Sequence, residues 1–194
     1  MLPRLLGAIV GLVVAGMAGT AQAATLDFSG FASGDTGLSI LDVGDATVSV
    51  PGGTVFIYHP GEFGAFSTSG GLCALTESGN CETDWTLTFD YAVTNLTFEA
   101  AFFHRGDSVE VEYYNGATLL GSSFVTAAGV TDLSGVGMIT SLFFNDSSKG
   151  AGFGFGDFAF AAIPLPAAFP LFATALAGMG LLGWRRKRKA LASV

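Results

Sequence analysis

Positive charge is nearly missing from the body of this chain. Of eight lysines and arginines, Arg4 stands near the N-terminus and Arg185, Arg186, Lys187, Arg188 and Lys189 stand together near the other end. Only Arg105 and Lys149 remain for Ala24 to Ile163, which holds all sixteen carboxylates, so that segment carries a net charge of −14. Such a segment repels phosphate backbones and anionic headgroups, which excludes nucleic-acid binding, and its charge serves either to attract divalent cations or simply to keep the domain in solution.

Cysteine and histidine are also scarce, at two each. Cys73 and Cys81 bracket ALTESGN at a spacing that fits no zinc motif, and His59 and His104 lie near neither of them. In an exported chain the expectation for the pair is a disulfide. No Gly-x-Ser-x-Gly marks a hydrolase nucleophile, and no internal repeat supports a propeller or solenoid. Between residues 24 and 160 no apolar pattern follows the helical period.

The patterns present have a period of two. Trp85, Leu87, Phe89 and Tyr91 alternate with Thr86, Thr88 and Asp90, as in a strand with one face packed and one wet. Val109, Val111 and Tyr113 alternate with Glu110, Glu112 and Tyr114. Asn115-Gly116 then predicts a type I′ hairpin turn, with Thr118 to Phe124 as the returning strand. Further strands are expected at Thr25 to Phe31, Thr47 to Val50, Thr54 to His59, Leu96 to Phe103, Ile139 to Phe144 and Gly152 to Ala161. Short strands joined by Gly- and Ser-rich connections predict an all-β domain over 24–162, an antiparallel β-sandwich of jelly-roll type.

Both ends depart from this pattern. Arg4, the apolar run Leu5 to Ala18 and Ala21-Gln22-Ala23 together read as a signal peptide, residues 1–23, cut before Ala24. Ala167 to Trp184 is an uncharged stretch long enough for a transmembrane helix, and the basic cluster Arg185 to Lys189 marks its cytoplasmic end. The domain between them is therefore expected outside the cytoplasm, anchored by residues 163–194.

A signal peptide, an outward domain, Pro164-Leu165-Pro166-Ala167, an apolar helix and a terminal basic cluster resemble, in that order, the tripartite PEP-CTERM sorting signals of Gram-negative bacteria. The likeness is to the VPLPA-CTERM variety, with Ile163 where that pattern has valine. It implies recognition by an exosortase, a membrane-embedded transpeptidase-like enzyme, and processing near Pro164 to Ala167. It also implies delivery to the cell surface or medium in company with exopolysaccharide.

A Phe- and Gly-rich sandwich in such a protein resembles carbohydrate-binding jelly rolls in layout. Those often pair their first and last strands around a structural calcium, which makes Asp27 and Asp157 the calcium candidates implied here. Tyr58, Trp85, Tyr113 and Tyr114 are the rings available to stack on sugars, although the phase of Trp85 with Leu87 and Phe89 assigns it to the core. Glu110 and Glu112 leave the same face of their strand, the beginning of a carboxylate pair such as glycoside hydrolysis uses. Alternating glutamates on the wet side of an acidic domain are expected without catalysis, and His104 beside Arg105 and near Asp107 reads as a polar turn. The reading is a non-catalytic surface protein associated with polysaccharide; the alternative is a secreted hydrolase acting on that polymer.

Overall fold

The computed structural model describes residues 22–62, 68–101, 107–146 and 152–163. Residues 1–21 of the expected signal peptide, the Pro164 to Ala167 motif, the span 167–184, the basic cluster, His104 and Arg105 lie outside the described residues. The compact unit that holds the described strands runs Ala21–Ile163.

Among the described residues it has twelve strands, and every pairing between them is antiparallel. In chain order they are β1 (Gln22–Thr25), β2 (Gly34–Asp35), β3 (Ile40–Asp42), β4 (Ala46–Ser49), β5 (Thr54–Tyr58) and β6 (Gly71–Leu75). Then follow β7 (Trp85–Ala101), β8 (Val109–Asn115), β9 (Thr118–Val125), β10 (Gly129–Asp132), β11 (Ile139–Asp146) and β12 (Gly154–Ala162).

The two expected strands at 85–91 and 96–103 are one strand, β7, of 17 residues. Its first half pairs with β4 and β11, its second half with β10 and β12. One half thus belongs to a layer ordered β3-β4-β7-β11-β8-β9, the other to a layer ordered β2-β5-β6-β12-β7-β10, with β1 beside the end of β12. The switch shows in the burial. Trp85, Leu87, Phe89 and Val93 point inward, then the phase flips and Leu96, Phe98 and Ala100 do so. The flip coincides with Asn95 at φ 52°. There Ala159 opposes Thr97 while Ala161 opposes Thr94, so β7 carries one extra residue. Asparagine tolerates the left-handed backbone such a bulge needs better than most side chains do.

A second bulge answers it on β12. Gly156 opposes Glu99 and Ala159 opposes Thr97, so here β12 has the extra residue, and Asp157 sits at φ 45°. The inward set again changes phase, from Phe155 to Phe158 and Phe160. The two layers meet through rings. Trp85 stacks on its neighbour Phe144 with centroids 3.9 Å apart and planes 2° from parallel. Across the interface Phe144 reaches Phe155 at 4.5 Å and Phe98 at 5.8 Å, while Phe89 meets Phe160 edge-on at 5.2 Å. This is an antiparallel β-sandwich with an aromatic core.

Three expectations are corrected locally. The hairpin closes with Asn115 opposite Thr118, so its turn residues are Gly116 and Ala117, one place later than expected. Only Gly116 takes a positive φ, 58°, which fits a type II′ turn and not type I′. Asn115 stays extended as the last residue of the ladder, and the hydroxyl of Thr140 accepts the Gly116 N–H at 2.8 Å. The first strand ends at Thr25, before Asp27, because Asp27 turns its carboxylate back on the Ser29 N–H at 2.8 Å and closes a local turn. The strand also begins at Gln22, so it includes two residues that the expected signal cleavage would remove.

Candidate functional site

The layer containing β8 turns one face to the core and the other to solvent, and the register fixes which side chains share that outer face. One row runs Ser49, Thr86, Phe143, Glu112, Ser122 across five strands. The next runs Thr47, Thr88, Ser141, Tyr114, Leu119, and a third places Asn145, Glu110 and Phe124 side by side. Directly opposed residues of an antiparallel pair lie on one side of the sheet, about 5 Å apart. The result is a face of hydroxyls on the β4 and β7 side that passes into rings and carboxylates on the β11, β8 and β9 side.

Its chemistry centres on Tyr114. The Tyr114 hydroxyl donates to Glu112 Oε2, and this bond first, then desolvation and the charges of Glu112 and Glu110, push the phenol above its ordinary value. The ring is thereby tied to Glu112, with Glu110 one place further along the same face of β8. Phe124 lies opposite Glu110 and is 66% exposed, which is unusual for so large an apolar side chain. Phe143 is half-buried two strands away. Three rings and two carboxylates on one side of a sheet offer apolar faces and hydrogen-bond acceptors together.

The other three expected stacking rings are placed elsewhere. Trp85 is 1% exposed and belongs to the core, as its phase predicts. Tyr113 packs against that core and lies over Gly121, where any Cβ would come within 2.9 Å of the ring, and its hydroxyl donates to the Ser122 carbonyl at 3.3 Å. Tyr58 covers the disulfide Cys73–Cys81, with its hydroxyl 3.4 Å and 3.2 Å from the two sulfurs, and burial pushes its phenol up to about 12.

Asp157 is the better connected of the two calcium candidates. Its Oδ1 accepts from the Ser69 N–H at 2.6 Å, the Ser69 hydroxyl at 2.7 Å and the Thr68 hydroxyl at 2.8 Å. Beside it Glu99 is raised above the usual carboxylate range, by desolvation first and then by the hydrogen bond and charge of Asp157. Asp27, committed to Ser29, is lowered first by the Ser29 hydroxyl and then by the Ser29 N–H. Among the described residues no three His, Cys, Asp or Glu side chains gather as a metal site.

No family model matches the chain, and no curated protein matches it. Among solved structures it is similar to two mutants of a family 29 carbohydrate-binding module, made to probe ligand recognition. The first aligns over 73% of this chain and 92% of that one at 11% identity and a TM-score of 0.32. The second aligns over 72% and 91% at 12% identity and a TM-score of 0.30. A superposition this loose decides neither topology nor ligand.

The sequence pattern placed Glu110, Glu112 and Tyr114 on one face of a strand, and the structure agrees. Phe143 and Phe124 were passed over. Their signal was present: Phe143 alternates with the buried pair Leu142 and Phe144, and Phe124 falls in phase with Ser122 on the wet side of the hairpin. The anchoring of Asp157 by Thr68 and Ser69 is a contact across 88 residues and more that no local pattern announces.

Proposed function

We propose that this is an exported, non-catalytic surface protein whose jelly-roll-like domain lays the Tyr114 face against an exopolysaccharide. Its C-terminal signal is processed by an exosortase-like enzyme, before which the apolar helix holds the domain at the membrane. The observation that carries the reading is the group of Tyr114, Phe143 and Phe124 beside Glu110 and Glu112 on one open face. Sugar rings present apolar C–H surfaces to aromatic rings and hydroxyls to carboxylates, and this face supplies both partners. Net negative charge favours a neutral polymer over an acidic one.

The hydrolase alternative is less well supported by the same geometry. Glu110 and Glu112 project from one strand to the same side, whereas a glycosidase sets its two carboxylates on either side of the scissile bond. The disulfide and the sorting resemblance both agree with an extracellular setting.

Retention on the cell's own exopolysaccharide tests the reading. The whole protein should be retained with no loss of polymer mass, and Tyr114→Ala with Phe124→Ala should weaken retention about tenfold, or about 1.4 kcal/mol. Depolymerisation would establish the hydrolase, and unchanged retention in the double variant would remove the face from the account. Intact-mass measurement of released protein tests processing: a C-terminus near Pro164 to Ala167 is expected, and a species still carrying Trp184 to Val194 would show a permanent anchor.

A further inference from the structure

We infer that a second carbohydrate subsite lies in the other layer, in a groove between β2, β5 and the end of β6 that takes an uncharged sugar unit through Asp35 and Glu77. The groove is open to solvent and has a volume of about 510 Å³, room for a sugar unit laid along it.

Three segments build it. Beyond β2 the chain continues along β5, with Thr36 N–H on the Val55 carbonyl at 3.0 Å and Val55 N–H on the Leu38 carbonyl at 2.9 Å, which sets Asp35 and Ser39 along one wall. The turn into β5 presses on the end of β6: a Cβ at Gly53 would stand 2.0 Å from the Leu75 carbonyl oxygen, so only glycine permits that closure. The far wall is the turn at Thr76, Glu77 and Gly79, held by Thr76 N–H on the Asn80 carbonyl at 2.8 Å and by Thr76 and Ser78 hydroxyls 2.8 Å apart. This turn lies inside the loop closed by Cys73–Cys81, so covalent chemistry limits its freedom.

The lining selects the ligand. Asp35 takes hydrogen bonds from Gly37 N–H at 2.9 Å and from the Thr54 hydroxyl, which together hold its carboxyl below the usual range and keep it charged. Glu77 is exposed on the other wall. Two carboxylates call for a ligand that donates hydrogen bonds; the Thr54 hydroxyl, whose own proton goes to Asp35, adds an acceptor oxygen, and the Ser39 hydroxyl can donate or accept, which matches a sugar's alcohols. The groove's lining holds two carboxylates and no lysine or arginine, so it repels an acidic sugar. The choice of a sugar among hydroxylated ligands rests on the polysaccharide reading above; the groove is a separate place on the molecule.

Isothermal calorimetry on the full-length chain in a non-glycosidic detergent tests this. The probes are tetrasaccharides of glucose, of mannose and of galactose, with tetragalacturonate as the charged comparison. At least one neutral tetrasaccharide should bind, and Glu77→Gln combined with Asp35→Asn should weaken it at least tenfold or remove one of two sites. Glu77→Gln alone, an exposed change, should lower affinity severalfold without altering the thermal transition. Binding abolished by Tyr114→Ala and indifferent to both groove changes would overturn the groove and leave the face. Binding indifferent to Tyr114→Ala and lost in the groove variants would do the reverse. No binding by any neutral probe, or tighter binding of tetragalacturonate, would overturn the inference.

Discussion

Phe143 and Phe144 are chemically identical neighbours that the sandwich sends in opposite directions, and truncating each in turn measures the difference. Phe144 is fully buried, stacked on Trp85 at 3.9 Å and touching Phe155 at 4.5 Å and Phe98 at 5.8 Å. Phe144→Ala therefore empties a ring-sized volume where the two layers meet. Core Phe→Ala changes cost about 3–5 kcal/mol, and the stacked geometry puts this one at the upper end. That is a large share of the roughly 5–15 kcal/mol that holds a domain of this size together. With a urea slope of about 2 kcal/mol/M, the midpoint should fall by about 2 M. Phe143, half-buried on the outer face, should cost about 1 kcal/mol or less on the same change. Equilibrium urea unfolding followed by tryptophan fluorescence reads both, since Trp85 reports on the packing around Phe144. Equal losses for the two variants, or a loss below about 1.5 kcal/mol for Phe144→Ala, would refute the strand phase and the layer contact built on it.

Glu99 gives a pH prediction. Its folded value lies above its ordinary 4.5, so its contribution is fully present below that value and is lost as pH rises through the folded value. Glu99→Gln should therefore gain on the parent between pH 4 and pH 7; a gap in urea midpoint that is constant with pH would show that Glu99 does not titrate between the two states. Reduction of Cys73–Cys81, a loop of sequence separation 8, should cost about 2.5 kcal/mol and leave the sandwich folded, because the bridge pins a loop and not the layers. Native thiols that alkylate without reductant would show that the bridge is not there. Asn95→Ala should destabilise by about 1 kcal/mol, since alanine resists φ 52°, while Asn95→Gly should be neutral or better. The opposite order would mean that the bulge does not set the strand's change of layer.

Most of the longer strands were legible in the sequence, because a half-buried strand writes its burial directly into alternate positions; β6, buried at all five residues, and the short β2, β3 and β10 show no such alternation and were not foreseen. Trp85 to Phe89 and Val109 to Glu112 carry that pattern, and so does the wet face where Glu110, Glu112 and Tyr114 stand. Composition alone set the charge, with every carboxylate between residues 24 and 163. The edges of the pattern blurred where local chemistry won over it, as when Asp27 closed a turn on Ser29 and ended β1 early. Tertiary structure decided what pairs with what. Read locally, 85–91 and 96–103 are two strands with a break between them. A bulge at Asn95 makes them one strand shared by two layers, and the opposing bulge at Asp157 is stabilised by Thr68 and Ser69. Both the face around Tyr114 and the groove at Asp35 join residues from segments far apart in the chain. Period-two burial is local and therefore legible, whereas the partner of a strand depends on which distant segment can satisfy its hydrogen bonds and fill the space beside it.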